Sequence, residues 1–266
     1  TGANWPTVWT RDISYATHLG LGLWNVNACM KSLKARMRNG EVEQDTGTGG
    51  SWPISSDRVV WGMAAWEAYC LTGDREWLSR SCHVLEKTCQ RDEEVLAATG
   101  GLLKGESSFL DWREQTYPAW MTSADIGDSC SLSSMILHAS ARKSLACMFR
   151  ELEMEEKSLE WGEKGSVLFG VIEKFFHIPE EALYGQYLYG RGYPVLSEKI
   201  DSLGNLLAVL LGLAHGDHAS AMVASLPHCV YGIPCIHPQM PDEVPPYHNR
   251  AIWPFLEGYY AQAAAA

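Results

Sequence analysis

The sequence has no uninterrupted apolar stretch approaching the roughly 20 residues that a membrane-spanning helix needs, its longest apolar run being Leu206 to Leu211. Positive charge is also scarce, with 21 Lys and Arg against 32 Asp and Glu, a net charge of -11 and a pI near 5.3. Nucleic acid and anionic membrane surfaces would be repelled by that field, so neither is expected as a partner, and neutral or cationic substrates fit better. The sequence lacks a GxGxxG segment after a strand, a GxxxxGK[ST] segment and a GxSxG segment, which removes the fingerprints of nucleotide binding and serine hydrolysis. Eight cysteines occur at irregular spacing without a CxxC pair or a zinc signature. They read as buried thiols, with Cys229 and Cys235 the one pair to check for a disulfide. Nine histidines are scattered, and the closest cluster, His215, Asp217 and His218, reads as a polar turn. No metal and no cofactor is expected.

Phenylalanine is sparse at six residues, whereas Trp and Tyr each number eleven. The tryptophans gather in segments that also hold Arg, Asp and Glu. A flat indole beside charged hydrogen-bonding groups matches a sugar, whose apolar C–H faces are bounded by hydroxyls. The competing reading is that Trp fills a large helical core.

Helical periodicity dominates, and strand-like alternation is nearly absent. The pattern predicts helices over 13–38, ending at Asn39-Gly40, over about 57–71 with Ser56 or Asp57 as cap, and over 75–97 after the Thr72-Gly73-Asp74 turn. A long loop over 98–130 follows. Further helices are predicted over 131–155, 159–176, 198–214 and 217–226, and from about 251. The stretch Tyr184 to Pro194 and the segment 227–248, with Pro227, Pro234, Pro238, Pro241 and Pro245, read as loops. Short turns alternating with long aromatic and charged loops describe an all-α helical toroid whose long loops share one face. No linker divides residues 1–266, so a single domain is expected. The opening at Thr1 implies that something upstream was removed.

Three segments can carry chemistry. Trp5, Trp9, Arg11 and Asp12 stand just before the first helix. Arg donates in a fixed fork and Asp accepts, so together they can grip vicinal hydroxyls on a Trp platform, although Asp12 can equally be a helix cap. Glu106, Asp111 and Glu114 lie in the long loop with Trp112 and Arg113. Glycosidic cleavage needs an acid to protonate the leaving oxygen, and Asp111 ranks first because the apolar surface of Trp112 would raise its pKa. Glu114 is second and Glu106 third. An ordinary surface loop with a local Arg113 salt bridge is the alternative. Tyr247, His248, Asn249 and Trp253 offer neutral donors and acceptors beside an indole, though His248 can be a satisfied loop histidine. Glu257 is a fallback base.

Together these segments resemble landmarks of the six-hairpin, or (α/α)6, glycoside hydrolases. Trp9-Thr10-Arg11-Asp12 resembles the Trp-x-Arg-Asp segment of glucoamylases and debranching-like proteins, where the Arg-Asp pair holds the sugar at the cleaved subsite. Tyr247-His248-Asn249 with Ile252-Trp253-Pro254 is similar to the Tyr-His-Asn-x-x-Val/Ile-Trp-Pro segment of debranching-like enzymes. Glu106 to Trp112 resembles the Glu-Ser-Gly-Trp-Asp segment of trehalases, shifted by one residue and without the Gly. Ser56-Asp57-Arg58 and Asp201-Ser202-Leu203-Gly204-Asn205 look like helix-opening segments of such proteins, and Asp57 joins the expected sugar ligands. The resemblance implies an inverting mechanism with carboxyls roughly 6.5–9.5 Å apart, an α-linked oligosaccharide or glycan as substrate, and a periplasmic or secreted location. It also implies twelve helices, of which about eight are visible, so an incomplete toroid is expected, with the general base outside this sequence. A sugar isomerase or epimerase on the same fold and a non-catalytic carbohydrate-binding protein are the alternatives.

Overall fold

A computed structural model describes residues 7–44, 52–106, 117–178, 180–241 and 247–266 of the chain. The chain enters through α1 (Thr10–Ala16), a π turn (Thr17–Leu21) and α2 (Gly22–Lys34). The predicted stop at Asn39-Gly40 is instead a hairpin turn. Asn39 and Gly40 both take positive φ, 53° and 79°, and join β1 (Met37–Arg38) to β2 (Glu41–Val42). Asn-Gly is the dipeptide that a tight hairpin prefers for this conformation, and that preference prevails here over its helix-stop meaning.

A 3-10 turn (Arg58–Val60) leads into α3 (Trp61–Thr72), and α4 (Arg75–Leu96) follows. The reversal between α3 and α4 is sharp because Gly73 ends α3 in the left-handed conformation while the Asp74 carboxylate caps α4, accepting from the N–H groups of Glu76 and Trp77. Asp57 precedes the 3-10 turn but makes no side-chain cap bond. Short α5 (Ser123–Asp128), closed by a Thr122/Asp125 capping box, lies within the region read as loop. The longest helical hairpin is α6 (Leu132–Glu151) with α7 (Glu155–Phe176).

Strand content is the main departure from expectation. β3 (Cys130–Ser131), β4 (Gly185–Tyr189), β5 (Val195–Asp201) and β6 (Ile236–His237) form an antiparallel sheet in that order. The Tyr/Gly/Pro stretch is thus a hairpin, and the helix expected from 198 begins only at Ser202, in α8 (Ser202–Leu210). The residues before it pair with β4 and β6. In so short and mixed a stretch, tertiary pairing outweighs local periodicity. Then come α9 (Gly216–Ser225) and α10 (Pro254–Ala265). The eight cysteines are free, so Cys229 and Cys235 form no disulfide. No helix among the described residues is long and apolar enough to cross a membrane.

From Leu132 to Arg142, α6 is buried on every face, as a helix must be when others surround it. It contacts α3, α4, α7 and α8. Further contacts join α1 to α3 and α8 to α10. The chain then returns on itself, with Tyr259 of α10 edge-on to Tyr15 of α1. An inner succession α1, α3, α6, α8 and α10 results, with α2, α4 and α7 as the second helices of their hairpins.

One buried ion pair fixes the entry to α3. Arg58 meets Asp92 of α4 at 2.7 Å, and the Trp52 indole N–H donates to the same carboxylate oxygen at 2.8 Å. Arg58 also donates to the Val42 carbonyl at 2.9 Å. Burial raises the Asp92 pKa, and the guanidinium opposes that rise. Removing one partner strands the other charge in a dry interior. Asp92→Ala is therefore expected to lower stability by about 3–5 kcal/mol in urea unfolding, and Arg58→Met with Asp92→Leu to recover much of the loss. A change below about 1 kcal/mol in the single variant would show that the pair does not hold this junction.

Candidate functional site

The first and third sequence segments, some 240 residues apart, meet at the contact between α1 and α10. Trp9, Arg11, Asp12 and Tyr15 line a cavity of about 400 Å³ together with Trp253 and Phe255. Phe255 stacks on Tyr15 at 5.3 Å. The N-cap of α1 is Trp9 and not Asp12, which sits in the first turn with its carboxylate 3.4 Å from the Arg11 Nε. Asp12 is thereby left exposed at the rim, beside the fork of Arg11.

Tyr247, His248 and Trp253 pack ring against ring, with centroids 4.5, 4.9 and 5.5 Å apart, and the Trp253 indole donates to the Tyr247 carbonyl. His248 is buried, and burial together with the nearby Arg11 charge pushes its pKa down to about 3. It is a neutral imidazole at any ordinary pH. Asn249 is fully buried and its side-chain amide is engaged by both backbone groups of Met240, so it fastens the loop. Glu257, the fallback base, accepts from the Ile233 N–H at 2.8 Å and packs against Gly232.

Three carboxylates, Glu106, Asp57 and Asp201, form a buried polar floor in the interior. Glu106 is inaccessible, accepts from the Ser55 hydroxyl at 2.9 Å and is held by backbone bonds to Ile54 and Ser56. Asp57 is buried and accepts from the Gln44 amide at 2.8 Å. Asp201, the last residue of β5 and the N-cap of α8, is the third buried carboxylate. Sequence patterning placed it only at the head of a helix. Two buried tyrosines feel their charges. Burial raises the Tyr15 phenol most, followed by the charge of Asp57, with Asp201 a smaller contributor. Burial likewise raises Tyr117, followed by Glu106 and, again to a lesser degree, Asp201. Tyr15 also lines the cavity.

Asp111, Glu114, Trp5, Trp112 and Arg113 lie outside the described residues. Among the described residues, no group of three His, Cys, Asp or Glu side chains could hold a metal ion. His138 of α6, missed in the sequence because it lies mid-helix on an apolar stretch, is fully enclosed, and burial pushes its pKa down to about 3. Its Nε2 is 2.9 Å from the Ser56 carbonyl, so in the neutral ring Nε2 carries the proton and Nδ1 is the acceptor.

Burial lifts the Asp201 carboxyl to about 6, while the Ser133 hydroxyl and the N–H groups of Gly204 and Leu203 pull it back. Neither oxygen closes a hydrogen bond of good geometry. The folded state therefore holds this proton more tightly than the unfolded chain does. Below the unfolded pKa, near 4, the protonated carboxyl carries no penalty; as pH rises through about 6 the buried charge develops and stability falls by roughly 3 kcal/mol. Asp201→Asn should match the parent near pH 4 and exceed it in stability at pH 7, measured as the difference between urea midpoints across pH. A difference that does not change with pH would exclude this titration.

No family model and no curated protein matches the sequence. Solved structures do match. A family 78 rhamnosidase of Bacillus sp. GL1 superimposes with a TM-score of 0.63 at 14% identity, over 96% of this chain and 25% of that one. A rhamnosidase from Klebsiella oxytoca with rhamnose bound gives 0.62 at 11% identity, over 97% and 45%. A bacterial glucoamylase complexed with acarbose gives 0.58 at 15% identity, over 96% and 40%. The chain thus spans between a quarter and just under half of these proteins. At such identities the likeness is one of fold, and this chain has the six-hairpin, (α/α)6-toroid fold found in those glycoside hydrolases.

Proposed function

We propose that the chain carries the sugar-binding and acid half of a glycoside hydrolase that cleaves an α-linked bond in an oligosaccharide or glycan with inversion. The observation that carries this reading is the convergence of Trp9, Arg11, Asp12 and Tyr15 with Trp253 on one cavity. The indole faces receive the apolar side of a pyranose, and Arg11 with Asp12 takes two neighbouring hydroxyls. Neutral His248 can donate or accept without adding charge. Inversion uses one carboxylic acid to protonate the leaving oxygen and a second carboxylate to activate water on the opposite face. Asp111 is the first choice for the acid, with Trp112 beside it in sequence, ahead of Glu114, and Glu106 comes last because it is enclosed and bonded to Ser55. Residues 1–266 act as one domain, and a periplasmic or secreted setting suits the substrate.

The test is a screen of aryl α-glycosides and α-linked oligosaccharides, with the anomer of the first-formed product read by NMR. Cleavage to the inverted anomer is expected. Asp111→Asn should lower kcat by about 10²–10⁴, and Arg11→Gln should lower kcat/KM by about tenfold to hundredfold through lost charge-assisted hydrogen bonds. An isomerised sugar without cleavage would assign the chain to the isomerase class. Full activity in Asp111→Asn would remove that residue from its role.

A further inference from the structure

Away from the α1/α10 cavity, the turn of the β4–β5 hairpin and helix α5 form a second surface. Trp120 is 61% exposed, and its ring meets Tyr189 at 5.8 Å and 57°, so the two rings form an open wedge. On one side lies a cavity of about 260 Å³ lined by Trp120, Asp125 and Arg191. On the other lies one of about 380 Å³ lined by Lys104 and Pro194. The two adjoin, since Asp128, Tyr189, Gly190 and Arg191 belong to both walls. Gly190 is required here, because its φ is +98° and a Cβ would lie 2.7 Å from the Tyr193 carbonyl oxygen.

The charges decide the ligand class. Asp128 accepts from Lys104 at 3.0 Å through one oxygen and from the Arg191 Nε at 3.0 Å through the other. Asp125 is bonded to Thr122. Two carboxylates face two cations, so the surface is locally neutral and selects neither an anion nor a cation. The outer nitrogens of Arg191 remain as donors on a side chain 70% exposed. A half-open indole, a tyrosine ring and fixed polar groups in two adjoining depressions fit successive rings of a neutral polyhydroxylated chain. An apolar protein partner would instead want a continuous hydrophobic patch.

The position relates this surface to the buried floor. Asp128 stands two residues before Cys130, which bridges to Gly105, the neighbour of Glu106. The ring contacts continue inward from Tyr189 to Tyr187 at 5.9 Å and from Tyr187 to Tyr117 at 4.9 Å. We propose that Trp120, Tyr189, Arg191 and Asp128 form a second sugar-binding surface, which takes units of an oligosaccharide remote from the bond that is cleaved. The assignment of that remote role rests on the glycosidase reading; the binding itself does not.

The experiment titrates the protein with α-linked gluco-, manno- and rhamno-oligosaccharides of one to six units by calorimetry and follows their cleavage in parallel. Trp120→Ala and Arg191→Gln alter exposed side chains, and Trp24→Ala, 91% exposed on α2, is the control. Trp120→Ala should weaken binding of the longer oligomers about tenfold or more and leave the monosaccharides unchanged, with Arg191→Gln weaker in the same sense and Trp24→Ala without effect. Undiminished binding of every oligomer by Trp120→Ala, with parental cleavage intact, overturns this surface and leaves the glycosidase reading standing. Trp120-dependent binding without any cleavage supports the surface and counts against the hydrolase. A parent protein that binds none of these sugars overturns both.

Discussion

The site depends on the buried clamp between Arg58 and Asp92. Arg58 holds Asp92 of α4, the Val42 carbonyl and, at 3.4 Å, Glu41, and its guanidinium lies over the Trp52 ring. One side chain therefore ties the β1–β2 hairpin, the approach to α3 and α4 to a single point. The segment immediately before it, Ser55-Ser56-Asp57, supplies a hydroxyl to Glu106, a carbonyl to His138 and a carboxylate beside Tyr15. A guanidinium suits this position better than an ammonium would, because its planar fork serves a carboxylate and a carbonyl in different directions at once. Burying it is tolerable only because each direction is answered.

The floor held in this way is polar at a depth where a helical bundle would ordinarily be apolar. Asp201 has no well-formed hydrogen bond, and among the described residues the Ser131 and Ser134 hydroxyls at the head of α6 lack partners. Burying a polar group without a partner opposes folding. The burden lies at one end of α6, whereas most of the helix packs through Met135, Ile136, Ala139, Leu145 and Met148. Stability is concentrated in the body of the helices, and polar strain at their loop-bearing ends. Such a division is expected of a scaffold that carries a site on its loops.

The division also explains what could be read from sequence. Long helices were legible because their apolar faces repeat and their ends are marked by Gly73 and Asp74. The Trp9–Asp12 and Tyr247–Trp253 segments stand out in the sequence because indoles lie beside polar and charged side chains, and Trp9, Arg11, Asp12 and Trp253 come together at one cavity. The sheet was not legible. β3 and β6 have two residues each, too few to show alternation, and β5 ends in a segment that also fits a helix. The sequence places Asp201 only in a helix-opening segment, because a carboxylate ahead of an apolar helix reads as part of its start, yet it closes no cap bond of good geometry. His138 carries no local signal, since its meaning lies in a contact with Ser56, 82 residues away in sequence.

Convergence of the two ends of the chain rests on small residues and rings, not on charge. Leu19 of the π turn sits where a side chain on Gly258 would meet it at 3.2 Å, so α10 approaches closely because position 258 has no Cβ. Around that approach Tyr15, Phe255, Tyr259 and His18 pack ring to ring. Apolar contact of this kind has no angular preference as strict as that of an ion pair, but it excludes water over a wide area. It can therefore set the depth of the cavity, while Arg11 and Asp12, a charged pair at its mouth, would on the glycosidase reading set the direction from which a hydroxyl-bearing ligand is met. Burial raises the Tyr15 phenol and lowers the His248 imidazole; the Arg11 charge opposes the first shift and adds to the second. Arg11 at the rim thus disfavours a second positive charge inside the cavity.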